Sequence, residues 1–504
     1  MQKRIILSFL ISFILFQANA QPITPINGVY TPDHTTYAFI HAHLVVAPGE
    51  EYSDGTLIIQ DGKVVSSGSG IEVPHNAVVF DLKGKYIYPS FIELRSNYGM
   101  PEVEKKKKPL KPQYVAKNNG TLYWNDAIHP QVDYVNLFNT DPQKSEKLRS
   151  LGFGVVLTHQ YNGIMRGNAA IVSLGKNKLG QAVLKPQGAA YYGFGKGNST
   201  QLYPTSLMGS IALFRQTMYD ADWYSKGNQT PVNYSLQAIQ DHKEIPQFFD
   251  ARNYQAVLRA ARLGEEFEMS IVATGGGDAY KHIEEIKAAH IKLIVPLNFP
   301  KPYDVSDPLD AQYISLADLK HWELAPSNPA IVSQSGVEFA LSASDNPKMF
   351  WTNLRKAIRY GLTPEDALKA LTTTPASLLK SEDLGSLKAG KYANFFITAE
   401  DVFFTDSKVL ENWTLGQRNI IKDATTIDPT GNYNLNFGGV LYQMDVVQTE
   451  KGYAVSTTMG GTKENPQKGK ISIENNLMTI QFQQGNHQHK GPVRLVGKTN
   501  YKGK

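Results

Sequence analysis

The chain has no cysteine among its 504 residues. That excludes disulfides, thiolate zinc sites, a lipid-modified N-terminal cysteine and cysteine nucleophiles. Long apolar runs are missing too, apart from Ile5 to Phe16, which is too short to span a bilayer comfortably. Lys3 and Arg4 precede that run, and Ala18-Asn19-Ala20 follows it with a small-x-small pattern. This is the layout of a cleaved export signal over residues 1–20. The expected location is periplasmic or secreted, with no membrane span in the mature chain. A strong excess of one charge is also lacking. The net charge is +5, and losing Lys3 and Arg4 leaves +3 over the mature chain, no footprint for nucleic acid. With 41% hydrophobic residues, the chain can bury a large core without disulfides.

What is present falls into three stretches. Residues 37–85 read as short strands: Thr56 to Gln60, an Asp61-Gly62 hairpin turn, a return strand from Lys63, and Val78 to Phe80. From Tyr86, apolar strand-like runs alternate with helical stretches. The strands are Gly154 to Thr158, Ala169 to Leu174, Ile271 to Ala273, Lys292 to Val295 and Val337 to Ser342. The helices are Pro142 to Leu151, Tyr254 to Phe267 and Ile283 to Ala289. Alternation of this kind predicts a parallel sheet, and the length suits a TIM-like (β/α)8 barrel over residues 89–384. Lys105 to Asp141 and Gly175 to Pro246 are rich in Gly, Pro, Asn and Tyr, and read as long loops at the active end. Thr363 caps a helix with Pro364 at its first position, and Asp366 is expected to complete a capping box. Strands return after Gly385. Residues 426–504 read as a β-rich, incomplete extra domain, with Ile471 and Ile473 facing Met478, Ile480 and Phe482 across Asn475-Asn476.

Four blocks resemble the amidohydrolase superfamily, especially its imidazolonepropionase-like branch. Asp54 to Val65 looks like the leading β-segment, and Asp81 to Glu93 like the approach to the first barrel strand. Gly361 to Leu368 with Thr372 to Ala376 resembles the last barrel helix. Gly385 to Asn394 is similar to the return into a small β-domain. The resemblance implies an α/β fold: a barrel with a composite β-sandwich domain built from residues 21–88 and 385–425.

The family's chemistry rests on one or two divalent ions. A His-x-His pair ends the first strand, a lysine or glutamate comes from the fourth, histidines from the fifth and sixth, and an aspartate from the eighth. The ion lowers the pKa of its bound water. In this chain Leu94-Arg95-Ser96-Asn97 stands where the pair belongs, so Arg95 and Asn97 hold the two ligand positions. Arginine keeps its proton and does not ligate metals. At ~4 Å and an effective dielectric of ~20, its repulsion of a divalent ion is on the order of 8 kcal/mol. Ser270 to Gly276 and Lys292 to Asn298 bring no histidine either, although Asp345 ends the eighth strand as the family expects.

Two readings stay open. One is a metal-dependent hydrolase of non-peptide or dipeptide-like C–N bonds, with Asp345 as general base and last metal ligand, His159 as helper, and zinc or another divalent ion bound. The other, favoured by the residues, is an inactive barrel with no cofactor expected. It would bind a small molecule through Arg95, Asn97 and Thr274, or pair with a second, active barrel. Arg95 would then hold a carboxylate, Asp345 included. The abrupt β-rich tail fits a chain cut short before such a second copy. His159 follows a strand and is expected in the pocket or as a hydrogen-bonded rim residue. His41 and His43 have the spacing of a metal pair on one strand face, but they precede the first hairpin and are expected on a solvent-facing strand of the small domain. His487 and His489 belong to the tail, and the Lys105 to Lys108 run reads as a solvated loop.

Overall fold

The computed structural model describes residues 34–107, 110–116, 120–176, 179–227, 229–343, 345–422, 430–437, 440–449, 452–459, 467–474, 477–484 and 491–498. The predicted export signal, Asn475-Asn476 and His487 to His489 lie outside them.

The chain opens with β1 (Tyr37–Ala47), β2 (Glu50–Gln60), β3 (Lys63–Gly68), β4 (Val78–Asp81) and β5 (Tyr86–Pro89). Asp61 and Gly62, both at positive φ, turn β2 into β3, as a two-residue hairpin turn requires. The barrel strands follow: β6 (Phe91–Ser96), β7 (Phe153–Thr158), β8 (Met165–Ser173), β9 (Val183–Gly193), β10 (Gln247–Asp250), β11 (Ile271–Thr274), β12 (Lys292–Pro296) and β13 (Phe339–Ser342). After the last helices come β14 (Phe395–Thr398), β15 (Val409–Thr414) and β16 (Gln417–Ile420). β14 pairs antiparallel with β5, so the segment after the barrel joins the same sheet as the segment before it. Trp413 is buried in that sheet's core and stacks on Phe395.

The barrel strands line up in chain order from β6 to β13. Side chains cross the remaining seam: the Ser342 hydroxyl donates to Glu93 at 2.7 Å and the Ala343 amide at 2.7 Å. Inward-facing residues fill the barrel, among them Leu94, Leu157, Ile171, Tyr191, Phe248 and Ile294. Leu378, Leu379 and Leu384 pack against this cluster.

Two expectations need correction. The sheet is not wholly parallel: β8 runs antiparallel to both β7 and β9. Only Leu-free residues 159–164 join β7 to β8, and a parallel crossover needs a dozen or more. The stretch from Gly175 to Pro246 is not a loop either. It holds β9 and the helices Leu207–Ser225 and Tyr234–Asp241. β9 hides from pattern reading because Lys185-Pro186-Gln187 interrupts it and its buried half is Gly-Ala-Ala-Tyr-Tyr-Gly. The longer helix hides because its buried stripe includes Ser210 and Thr217.

The helix Pro364–Leu371 starts at Thr363, whose hydroxyl accepts from the Asp366 amide at 3.0 Å. The reciprocal half of the box is not formed; the Asp366 carboxylate accepts from the Ser333 hydroxyl at 2.8 Å. The tail is a six-stranded antiparallel meander, β17 (Gly431–Phe437) through β22 (Gly491–Lys498), and Ile471 pairs with Ile480 and Ile473 with Met478. No helix among the described residues is long and apolar enough to cross a membrane.

Candidate functional site

Arg95 lies near the end of β6, and its guanidinium reaches across the barrel mouth to Asp250, which ends β10 on the opposite wall. Arg95 Nε lies 3.6 Å from Asp250 Oδ1. Arg95 Nη1 donates to Asp345 Oδ1 just beyond β13. A second guanidinium, Arg166 on β8, meets Asp250 Oδ2 at 3.1 Å, and a third, Arg252, does so at 3.1 Å from the surface side. Burial works to raise the Asp250 pKa, but Arg166, Arg95 and Arg252 outweigh it and hold the carboxyl below its ordinary value. Tyr161 completes the arrangement: its ring centroid lies 5.0 Å from the Arg95 guanidinium carbon and 5.9 Å from that of Arg166.

Glu93, two residues before Arg95, is fully buried at the seam between β6 and β13. Burial pushes its carboxyl up to about 7, against the donors Ser342, Arg95 N and Ala343 N that favour the charged form.

His159 follows β7 but is neither on the rim nor hydrogen-bonded through its ring. It is fully buried, stacked on Tyr191 with centroids 3.6 Å apart, and edge-on to Tyr161 at 4.7 Å. Neither ring nitrogen has a partner among the described residues. Burial pulls its pKa well below the ordinary histidine range, with Arg166 and Arg95 adding repulsion. Thr274 ends β11 in register with Asp250, and its hydroxyl is buried without a partner among the described residues.

Beside Arg95 a cavity of about 330 Å³ opens toward the helix Pro142–Arg149. Arg95, Asn97 and Asp345 line it, whereas His159 and Thr274 do not. Asp250, Arg166, Glu93 and Tyr161 escaped sequence reasoning as site residues. The readable signal was Gln247-Phe-Phe-Asp250 followed by an Asn253 helix cap: a strand ending in an acid just before a barrel helix.

His41 and His43 make no common site. His41 turns to Asp81 at 3.1 Å and His43 to Glu51 at 3.3 Å, because His41 sits at positive φ where the β1 ladder shifts register.

Residues 329–423 match the model of the amidohydrolase family. An amidohydrolase from Thermotoga maritima MSB8 shares the fold at a TM-score of 0.61 and 22% identity, over 76% of this chain and 99% of that one. The fold is that of the amidohydrolase superfamily. A β-aspartyl dipeptidase from Fervidobacterium islandicum AW-1 aligns at a TM-score of 0.42 and 13% identity, over 79% of this chain and 100% of that one. No curated protein matches in sequence.

Amidohydrolases carry divalent ions at this end of the barrel. The side chains of this amidohydrolase-fold chain do not fit one. The buried guanidiniums of Arg95 and Arg166, with Arg252 from the surface side, occupy the space around Asp250, and the Asp250 and Asp345 carboxylates are pointed at guanidiniums. No group of three or more His, Asp or Glu among the described residues could hold a metal ion.

Proposed function

We propose that this chain is an amidohydrolase-fold domain that binds a small molecule at the barrel mouth and does not hydrolyse C–N bonds by metal catalysis. The observation that carries the reading is Arg95, on the first strand, held between Asp250 and Asp345. The family's divalent ion brings a charge of two to this place. Here the guanidiniums of Arg95 and Arg166 bring the same charge from the chain itself, matched by Asp250 and Asp345. A guanidinium attracts an anion but has no open coordination position to bind and ionise a water, so it supplies binding without a nucleophile.

The residues cast as acid and base support the same conclusion. Asp345 accepts from a guanidinium, and His159 is sealed between aromatic rings away from the cavity. His159 is not placed to take a proton from a water above Arg95.

Metal analysis of the purified full chain, followed by an amide, lactam and dipeptide hydrolysis panel, tests this. The expected result is folded protein with substoichiometric zinc and no turnover on any substrate, with or without added zinc. Stoichiometric zinc with chelator-sensitive turnover overturns it.

A further inference from the structure

The cavity beside Arg95 has a lining that is part charged and part apolar. At its rim, Lys144 and Lys147 lie one turn apart on the helix Pro142–Arg149, and both are exposed. Lys144 leans toward Asp141 at 3.7 Å, and Lys147 has no acidic partner among the described residues. Leu148 on that helix and Leu151 just past its end, both half-buried, line the same cavity together with Tyr98 and Pro347. Arg95, buried, and Asp345, part-exposed, meet in the same lining. A volume of about 330 Å³ suits one small organic molecule.

The two carboxylates on Arg95 are held very differently. Asp250 is buried and meets three guanidiniums. Asp345 keeps 37% of its side chain exposed and has Arg95 as its one ion pair among the described residues. Its part-exposed side chain has room to turn toward solvent, provided that another carboxylate takes its place on the buried Arg95 guanidinium.

We propose that this cavity binds a small organic carboxylic acid, whose carboxylate takes the place of Asp345 on Arg95 while its apolar body lies along Leu148 and Leu151. Asp345 is then a built-in competitor for the ligand's place. The exchange keeps the charge-assisted hydrogen bond on Arg95 intact, since one carboxylate replaces another. A neutral amide of the same shape cannot make that exchange without losing the charge. The rim lysines raise the local concentration of anions at the opening. The inference rests on the reading of an ion-free site given above.

The test uses benzoate, phenylacetate, hexanoate and N-benzoylglycine, each beside its primary amide, titrated into the full chain by calorimetry and ligand-observed NMR. At least one acid is expected to bind with a submillimolar Kd. Its amide should bind about tenfold more weakly, the size of one charge-assisted hydrogen bond. Asp345→Asn removes the competitor and should tighten acid binding about tenfold. Lys147→Glu, an exposed change that leaves Arg95 and Asp345 untouched, should weaken acids and spare amides. Acids binding no better than amides, Asp345→Asn leaving acid affinity unchanged or lower, or no binding by any acid at millimolar concentration each overturn the proposal. Lys147→Glu should melt like the parent, whereas Asp345→Asn, which takes a carboxylate from the buried Arg95 guanidinium, should melt lower and recover when a binding acid is added. Stoichiometric zinc would sink the ion-free reading; a zinc-free protein that fails the acid–amide comparison sinks this inference alone.

Discussion

Glu93 is an acid kept in a place that disfavours its charge. Its folded pKa is raised to about 7, above the value near 4.5 expected of it in the unfolded chain. Between those two values the folded state binds the proton more tightly. Stability is therefore greatest on the acid side of this window and falls as pH rises from about 4.5 to about 7, levelling off above. The size is on the order of a few kcal/mol, since each pKa unit is worth about 1.4 kcal/mol. Glu93→Gln should flatten that slope, measured as urea midpoint against pH from 4.5 to 8. A parent protein whose midpoint rises steadily across the window would contradict the assignment. Asp250 works in the opposite sense: its folded pKa is lowered, so its contribution is present above the ordinary aspartate range and lost only in acid. At this scale the sequence was only half readable. Arg95 and Asn97 announce themselves by standing where two histidines belong. Asp250 and Arg166 do not, because a buried ion pair joins residues 84 positions apart and leaves no local periodicity. His159 misled because its strand-end position says nothing about whether the ring faces the mouth or the aromatic layer of Tyr191 and Tyr161.

Among the elements, β8 decides how Arg166 reaches the site. The reversed strand enters from the loop after β7, and Arg166 stands near its start. Gly167 makes that start possible: its φ is +98°, and an added Cβ would lie 2.3 Å from the Val132 carbonyl oxygen. Gly167→Ala should therefore cost about 1–3 kcal/mol through strain and collision with backbone. Arg166 would shift with it, so the loss should be read both as a lowered melting temperature and as a weaker response to Asp250→Asn in a double-mutant cycle. A variant as stable as the parent would show that the strand tolerates another path. Element order was legible where strands are short and apolar, as at β7, β11 and β12. It was not legible in β9 or in the helix Leu207–Ser225, whose buried faces carry small and polar residues.

Over the whole molecule, the strands after the barrel divide by partner. β14 to β16 extend the sheet begun by β1 to β5, while β17 to β22 pair only among themselves among the described residues. Ending the chain after Lys422 should thus leave the melting temperature of the barrel and its composite sheet unchanged. A drop of several degrees would show that the tail sheet supports the barrel. The barrel itself was readable from four sequence blocks near its two ends. The reversed strand was not, because its sign is set by a short connection rather than by composition.

The bridge from β6 to β10 has one further consequence. A cation welded to the backbone through a side chain cannot be stripped by a chelator or exchanged for a competing ion. On the proposed ion-free reading, the shape of the barrel mouth is finished when the chain folds, and scarcity or plenty of transition metals in the surroundings leaves it the same.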